Sequence, residues 1–248
     1  SGIMFIIMSV GLYLSFSRAA WLSLLLAIGV LILLLFRIKL KSILLFIAGF
    51  FILIFTFQST LLHQLNQNEQ ESSDSFIEHI RSSTNISSDA SNVERLNRWN
   101  SAVRMFKERP IFGFGPGTYQ FKYASFQRSK YKTIISTNSG DGGNAHSEYL
   151  GPLSESGIMG MLSVFVLVII CLYKSIYIYH HEKERNIRII SLMCTLSLVS
   201  YYTHGFLNNF LDTDKLAVPV FGAMAVITAL DIIRKDKKIE ILKTKNNE

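Results

Sequence analysis

Charge is scarce in this chain of 248 residues: Asp, Glu, Lys and Arg make up 17%, against about 25% in an average soluble domain. Together with 49% apolar residues, the shortfall excludes an intrinsically disordered chain. Cysteine is scarcer still, at two residues, which excludes a small disulfide-built scaffold. The sequence has no Walker motif, paired CxxC, HExxH or GxSxG, so ATPase, zinc-protease and lipase readings lose their footing. It has no internal repeats, and no basic region precedes residues 1–16, as a secretory signal would require.

The apolar residues are not spread evenly. They gather in blocks at about 3–16, 19–36, 42–57, 158–173, 189–203 and 216–233, lengths close to those that cross a bilayer. Several blocks are framed by Tyr or Trp, as interfacial belts require. The fourth is expected to run on to Tyr179, with Lys174 snorkelling to the headgroups. The expected fold is therefore all-α, a polytopic transmembrane helical bundle of about six spans with a large, partly helical extracytoplasmic loop. Its divisions are helices 1–3 in 1–57, the loop in 58–157, helices 4–6 in 158–233 and a basic cytoplasmic tail in 234–248. Block 3–16 is short for a span and the chain opens with Ser1, which together read as a C-terminal portion of a longer protein. Cys171 and Cys194 fall inside spans, where thiols act as small apolar residues.

Charge placement orients the bundle. Residues 37–41 carry a net +3, 174–188 a net +2 and the tail a net +3, whereas 58–157 holds ten basic and ten acidic residues. With all six blocks spanning, the three basic segments share one side, and the positive-inside rule assigns that side to the cytoplasm. The loop and the short turns at 17–18 and 204–215 then face outward. A nucleic-acid surface is excluded, because no basic cluster coincides with a folded soluble region.

Within the loop, residues 58–92 are rich in Gln, Asn, Ser and Glu and are expected to be weakly structured. Ser91 and Glu94 have the spacing of a capping box, and Val93, Leu96, Val103 and Phe106 recur at helical spacing up to Pro110. A glycine-punctuated turn, GFGPGTY at 113–119, follows. The polar stretch 136–150 then leads into a short helix and the fourth span.

A few residues can carry chemistry. Arg18 lies at a span boundary, where a guanidinium either holds an anion or anchors the helix at the interface. Arg95 and Arg98 lie on the first turns of the loop helix, with Trp99 one turn after Arg95; they can present two guanidiniums to a phosphate or form a solvated face. His146, in NAHSEYL with Glu148 two residues on, can accept a hydroxyl proton at neutral pH or be a surface histidine. His204, at the outer end of the fifth span, either reaches the same face as Arg18 or packs. The Asp212–Thr213–Asp214 run has the spacing of an acidic metal pair and equally that of a solvated turn. The 113–117 glycines expose amides to an anion or simply turn the chain. His63, His79, His180 and His181 receive no role.

Taken in order, these motifs resemble the O-antigen ligase and polysaccharide polymerase family. Ser17-Arg18 precedes an apolar span, Arg95-x-x-x-Trp99 opens the loop helix, Pro110-x-x-Gly113-x-Gly115 follows, and His146-Ser-Glu-Tyr-Leu150 precedes Glu155-Ser-Gly157. The resemblance covers about residues 15–160 by motif and the rest by topology. It implies a metal-independent glycosyltransferase without cofactor, in the bacterial cytoplasmic (inner) membrane, with its site on the extracytoplasmic face. Its partners would be an undecaprenyl-diphosphate-linked glycan, a glycan, lipid or wall acceptor, and the bilayer itself. The carried-over catalytic positions are Arg18, Arg95 and His146, with Arg98, Glu148 and His204 as binding residues for diphosphate or acceptor. Two departures stand out: Ser147 replaces a common Asn, and one span precedes the SR motif where family members have several. A flippase of lipid-linked saccharides and a non-enzymatic membrane scaffold are the competing readings. The flippase finds few polar residues in 19–36 and 42–57 to line a path.

Overall fold

The computed structural model describes residues 2–15, 17–38, 90–129, 132, 136 and 143–246. Its elements, in chain order, are α1 (Gly2–Leu14), α2 (Arg18–Leu35), α3 (Ala90–Glu108), α4 (Tyr119–Phe126), α5 (Leu150–His181), α6 (Arg185–His204) and α7 (Asp214–Asn246). Among the described residues there is no strand. The block at 42–57 and most of the polar stretch 58–92 lie outside the described residues; the other five apolar blocks fall on α1, α2, α5, α6 and α7.

Among the described residues, two helices are long and apolar enough to cross a membrane, Leu150–His181 and Asp214–Lys237. Two shorter apolar helices, Gly2–Leu14 and Ala19–Leu35, stand beside them. Helix α6 packs along α2, α5 and α7 and so forms the centre of the bundle. Val168 and Cys171 of α5, Leu198 and Tyr202 of α6, and Val220, Met224 and Ile227 of α7 make one apolar core.

Hydroxyls bind α5 to α6 at the level of Ser175. Its Oγ lies 2.6 Å from Thr195 Oγ1 and 2.8 Å from the Ser191 carbonyl, and Ser191 Oγ donates to the Ser175 carbonyl at 2.7 Å. Small hydroxyl residues let helix backbones approach and satisfy one another in an apolar medium. At the neighbouring position, where snorkelling was expected, Lys174 Nζ is 2.8 Å from Asp231 of α7, which also binds Lys235 at 3.0 Å. A buried carboxylate needs a paired cation, and it captures the nearest one.

A second unit, α3 with α4, sits at the α5 N-terminus. Ala102 and Met105 of α3 pack against Tyr119 and Tyr123 of α4 and against Ala145. Helix α3 ends at Glu108, just before Pro110, as expected. Its start and its buried face differ from the sequence reading. The helix already includes Ala90 and Ser91, and the Glu94 carboxylate goes to Arg98 and to Ser136 Oγ instead of returning to a cap. The buried positions are Glu94, Asn97, Ser101, Ala102 and Met105, while Leu96 and Val103 of the apolar stripe are exposed. Small Ala102 admits the α4 tyrosines, and Glu94 and the Asn97 amide nitrogen find hydrogen-bond partners, so close approach outweighs apolar area on this face.

Helix α5 holds a kink that joins the two units. Gly157 has φ 65° and ψ −159°, so Leu150–Ser156 is a separate short helix ahead of the long one, as the sequence implied. The Gly157 backbone lies directly on the 110–113 turn: a Cβ there would sit 2.3 Å from the Ile111 carbonyl oxygen. The Ile158 amide donates to the Pro110 carbonyl at 2.8 Å, and the Gly115 amide to that of Glu155 at 2.7 Å. The Glu155 carboxylate accepts from the Gly117 and Tyr119 amides, both at 2.9 Å. It thereby caps α4 from another helix, where the exposed amides favour negative charge.

Candidate active site at one end of the helix bundle

The chain from Gly143 to Glu148 crosses the face of α3, and α3 holds it through two consecutive side chains, Arg98 and Trp99. Trp99 Nε1 donates to the His146 carbonyl at 3.3 Å, and an Arg98 terminal nitrogen donates to the Asn144 carbonyl at 3.1 Å. The Asn144 side-chain oxygen takes the His146 amide at 3.2 Å, a local turn that Asn forms readily. His146 itself has φ 48°, a left-handed conformation in which His is found more often than most residues. Gly143 lies close against α3 and α4: a Cβ there would sit 2.6 Å from an Arg98 terminal nitrogen and 2.8 Å from the Tyr123 ring and hydroxyl, and would push those side chains aside.

The main chain of His146 is therefore held at both its amide and its carbonyl, and its half-buried imidazole lies within the fields of two guanidiniums. Burial, then the Arg98 and Arg95 charges, push its pKa down to about 4 from 6.5. Both a drier setting and neighbouring cations disfavour the imidazolium. At neutral pH the ring is uncharged and able to accept a proton.

The two arginines differ. Arg98 is committed to the fold: its Nε pairs with Glu94 at 2.9 Å, it holds Asn144, and its guanidinium lies 5.1 Å over the Tyr123 ring. Arg95 is half-buried, and no carboxylate among the described residues pairs with it. Its charge acts on His146 and also on His204, whose imidazole is pushed down by burial first and by Arg95 second.

His204 is the last residue of α6, beyond the apolar run. Its Nε2 lies 3.4 Å from the Asn208 amide, and its ring stacks on Phe210 with centroids 5.5 Å apart. Arg18 is the first residue of α2, after the Ser17 cap. Ser200 Oγ lies 3.4 Å from Ser23 Oγ, which sets the register of α2 against α6. In that antiparallel register the start of α2 stands at the His204 end of α6. The fold thus brings Arg95, His146 and His204 into one electrostatic neighbourhood and puts the α2 terminus at the same end of the bundle.

Glu148 takes a different place from the diphosphate or acceptor contact expected of it. Its carboxylate accepts from the Tyr201 hydroxyl and, at 2.9 Å, from the Leu211 amide, while its own amide donates to the Gly205 carbonyl at 2.8 Å. Burial raises its pKa. The side chain is a brace tying the histidine turn to the 205–213 loop. Asp212 accepts from the Asn209 amide at 2.7 Å. Among the described residues no three His, Cys, Asp or Glu side chains converge as metal ligands would.

Two hollows border this region. An apolar groove of about 770 Å³ runs between α2, α6 and α7, with Leu24, Leu31, Leu198 and Val220 along it and His204 among its lining. On the far side of the 143–148 chain, a polar cleft of about 560 Å³ is bounded by Tyr119, Asn144, Glu148, Asn209 and Asp212.

Sequence reasoning missed the Trp99 pin, the Gly143 contact and the Tyr201 partner of Glu148. Glycine density in GDGGNAH was the one available signal, because two adjacent glycines before a histidine mark a close approach. Tyr201 had none: its role depends on a residue 53 positions away.

No curated protein and no solved structure matches the chain. The O-antigen ligase family model matches residues 3–165, from α1 through the loop helices and the histidine turn into the apolar part of α5. That span is more than half of the 248 residues and holds every motif from the Ser17-Arg18 pair to Gly157. The chain therefore belongs to the O-antigen ligase family, membrane glycosyltransferases of the ligase and polymerase type.

Proposed function

We propose that the protein moves a glycan from an undecaprenyl-diphosphate carrier to an acceptor hydroxyl on the extracytoplasmic face of the cytoplasmic membrane, with all six apolar blocks crossing it. The observation that carries this reading is a neutral, half-buried imidazole on a held main chain, close to an Arg95 guanidinium that no carboxylate among the described residues pairs with, at the end of the bundle where an apolar groove reaches His204.

In the reaction the acceptor oxygen attacks the anomeric carbon, and the bond from that carbon to the diphosphate oxygen breaks. The electron pair leaves with the diphosphate, and the acceptor proton passes to the His146 ring. Negative charge develops on the leaving oxygen, where Arg95 and Arg18 stabilise it; a fixed donor of this kind contributes about 10²- to 10³-fold in rate. His146 as general base contributes about 10²- to 10⁴-fold. Arg98 and Glu148 act one step away, by holding the 143–148 chain. The groove suits an isoprenoid tail, since lipid-facing apolar walls exclude headgroups. The carrier's diphosphate supplies the driving force, so no nucleotide is needed, and Arg95 and Arg18 take the charge-neutralising place at the leaving group that a metal would otherwise fill.

The test is glycan chain length, by gel, in cells whose full-length gene carries His146→Ala at normal protein level. A lost polymer ladder supports a polymerase, and full-length chains retained on the lipid carrier support a ligase. An unchanged pattern refutes His146 as the base.

A further inference from the structure

The turn between α3 and α4 has an unusual surface for the tip of a water-facing loop. Ile111 is 54% and Phe112 77% exposed, and neither serves the proposed chemistry. Their height is fixed by the main chain. The Pro110 carbonyl accepts from the Ile158 amide at 2.8 Å, and the Ile111 carbonyl lies where a Gly157 Cβ would be. Ile158 is the first residue of the apolar run 158–173, so the turn sits level with the start of that span. An aromatic and an aliphatic side chain at this depth match the residues that settle at the boundary between headgroups and acyl chains.

A basic rim lies beside them. Arg104, Arg109 and Lys122, with one acid, Glu108, border a hollow of about 510 Å³ walled by Phe114 and Phe126. The Arg109 guanidinium lies 4.7 Å and the Lys122 ammonium 5.7 Å over the Phe114 ring. Arg104 donates to the Phe126 carbonyl. No carboxylate among the described residues forms an ion pair with these three cations. Net positive charge next to an apolar tip, at the height where a span begins, complements an anionic phospholipid: phosphate at the rim, acyl chain at the tip.

We propose that the Pro110–Gly113 turn inserts Ile111 and Phe112 into the leaflet on the loop side, with Arg104, Arg109 and Lys122 gripping the phosphates of anionic phospholipids. Because α3 leads straight into this turn, the insertion holds Arg95 and the histidine turn at a set height above the bilayer. A lipid-borne substrate would then meet them without the loop having to close.

The test reads position and needs no activity. The full chain, with Cys171→Ala and Cys194→Ala, carries Phe112→Cys labelled with an environment-sensitive fluorophore. It is reconstituted into vesicles of phosphatidylcholine, with or without phosphatidylglycerol. Emission at 112 is expected to shift to the blue, to be quenched by nitroxides on the upper acyl chain, and to resist aqueous iodide several-fold better than the free label. Phosphatidylglycerol should deepen the protection, and Arg109→Gln with Lys122→Gln should abolish that added part. Iodide quenching as free as that of the unattached label overturns the proposal. So does protection from iodide and nitroxides alike, which means protein covers the site. Protection indifferent to phosphatidylglycerol overturns the phosphate grip. Should Phe112→Cys fail to fold, Ile111→Cys carries the same label at the same height.

Discussion

The depressed pKa of His146 makes a sharp prediction about acid. An ordinary histidine would be half charged at pH 6.5, and this one only at about 4. The proton concentration must therefore rise about 300-fold further before the base is lost. For the free enzyme, kcat/KM with a lipid-linked donor should be flat from neutral pH down to about 5. Below about 4 it should fall tenfold per pH unit. Arg95→Gln removes one of the two cations that hold the imidazole neutral, so the acid limb should move up, toward 6.5. Burial is the largest cause and remains, so the limb should stop short of that value. The same substitution lowers the plateau by about 10²- to 10³-fold if Arg95 also stabilises the leaving diphosphate. The sign for stability follows from the same linkage. The unfolded chain binds a proton at this histidine between pH 6.5 and about 4 while the folded chain does not, so folding stability falls as pH drops through that window. Fluorescence at each pH must show the fold intact where rates are compared. An acid limb at 6.5 in the unsubstituted protein would refute the buried, cation-flanked base. A limb that stays in place in Arg95→Gln would show that Arg95 does not act on His146.

Three further substitutions test the scaffold of the site. Gly157→Ala puts a Cβ 2.3 Å from the Ile111 carbonyl oxygen at φ 65°. The backbone cost alone is about 1–3 kcal/mol, so the thermal melting temperature should fall and the 110–113 turn should become protease-sensitive; an unchanged melt would refute the docked turn. Tyr201→Phe takes one donor from the Glu148 carboxylate, worth about 1.5–3 kcal/mol for a bond to a charged group. Activity should fall while Glu148→Gln, which keeps an acceptor for Tyr201 and Leu211, retains more of it. Equal loss in both variants would mean that the carboxylate works by charge and not as a brace.

Much of the bundle was legible because apolar runs report spans directly. The blocks at 19–36, 158–173, 189–203 and 216–233 fall on α2, α5, α6 and α7. Proline and glycine marked the turn after α3 for a local reason, since they act through their own backbone. Arg95 and His146 were legible by the order of motifs. Their electrostatic pairing was not, because no local pattern states how far apart residues 51 positions distant in the chain come to lie.

What the sequence determined by itself was the class: a helical membrane chain in a glycosyltransferase family. That follows from hydropathy, charge placement and motif order, all properties of single segments. The tertiary structure decided which helix face is buried, and α3 shows why. Its apolar stripe is exposed at Leu96 and Val103, while Glu94, Asn97 and Ser101 lie inside. Ser136 donates to Glu94 and Gln127 accepts from the Asn97 amide, while Tyr119 and Asn144 bind the adjoining Arg98. It decided likewise that Glu148 is a brace, that Lys174 turns to Asp231, and that Gly157 must be glycine. Each depends on a partner supplied by a distant segment, and burial of a polar group becomes favourable only once that partner is in place.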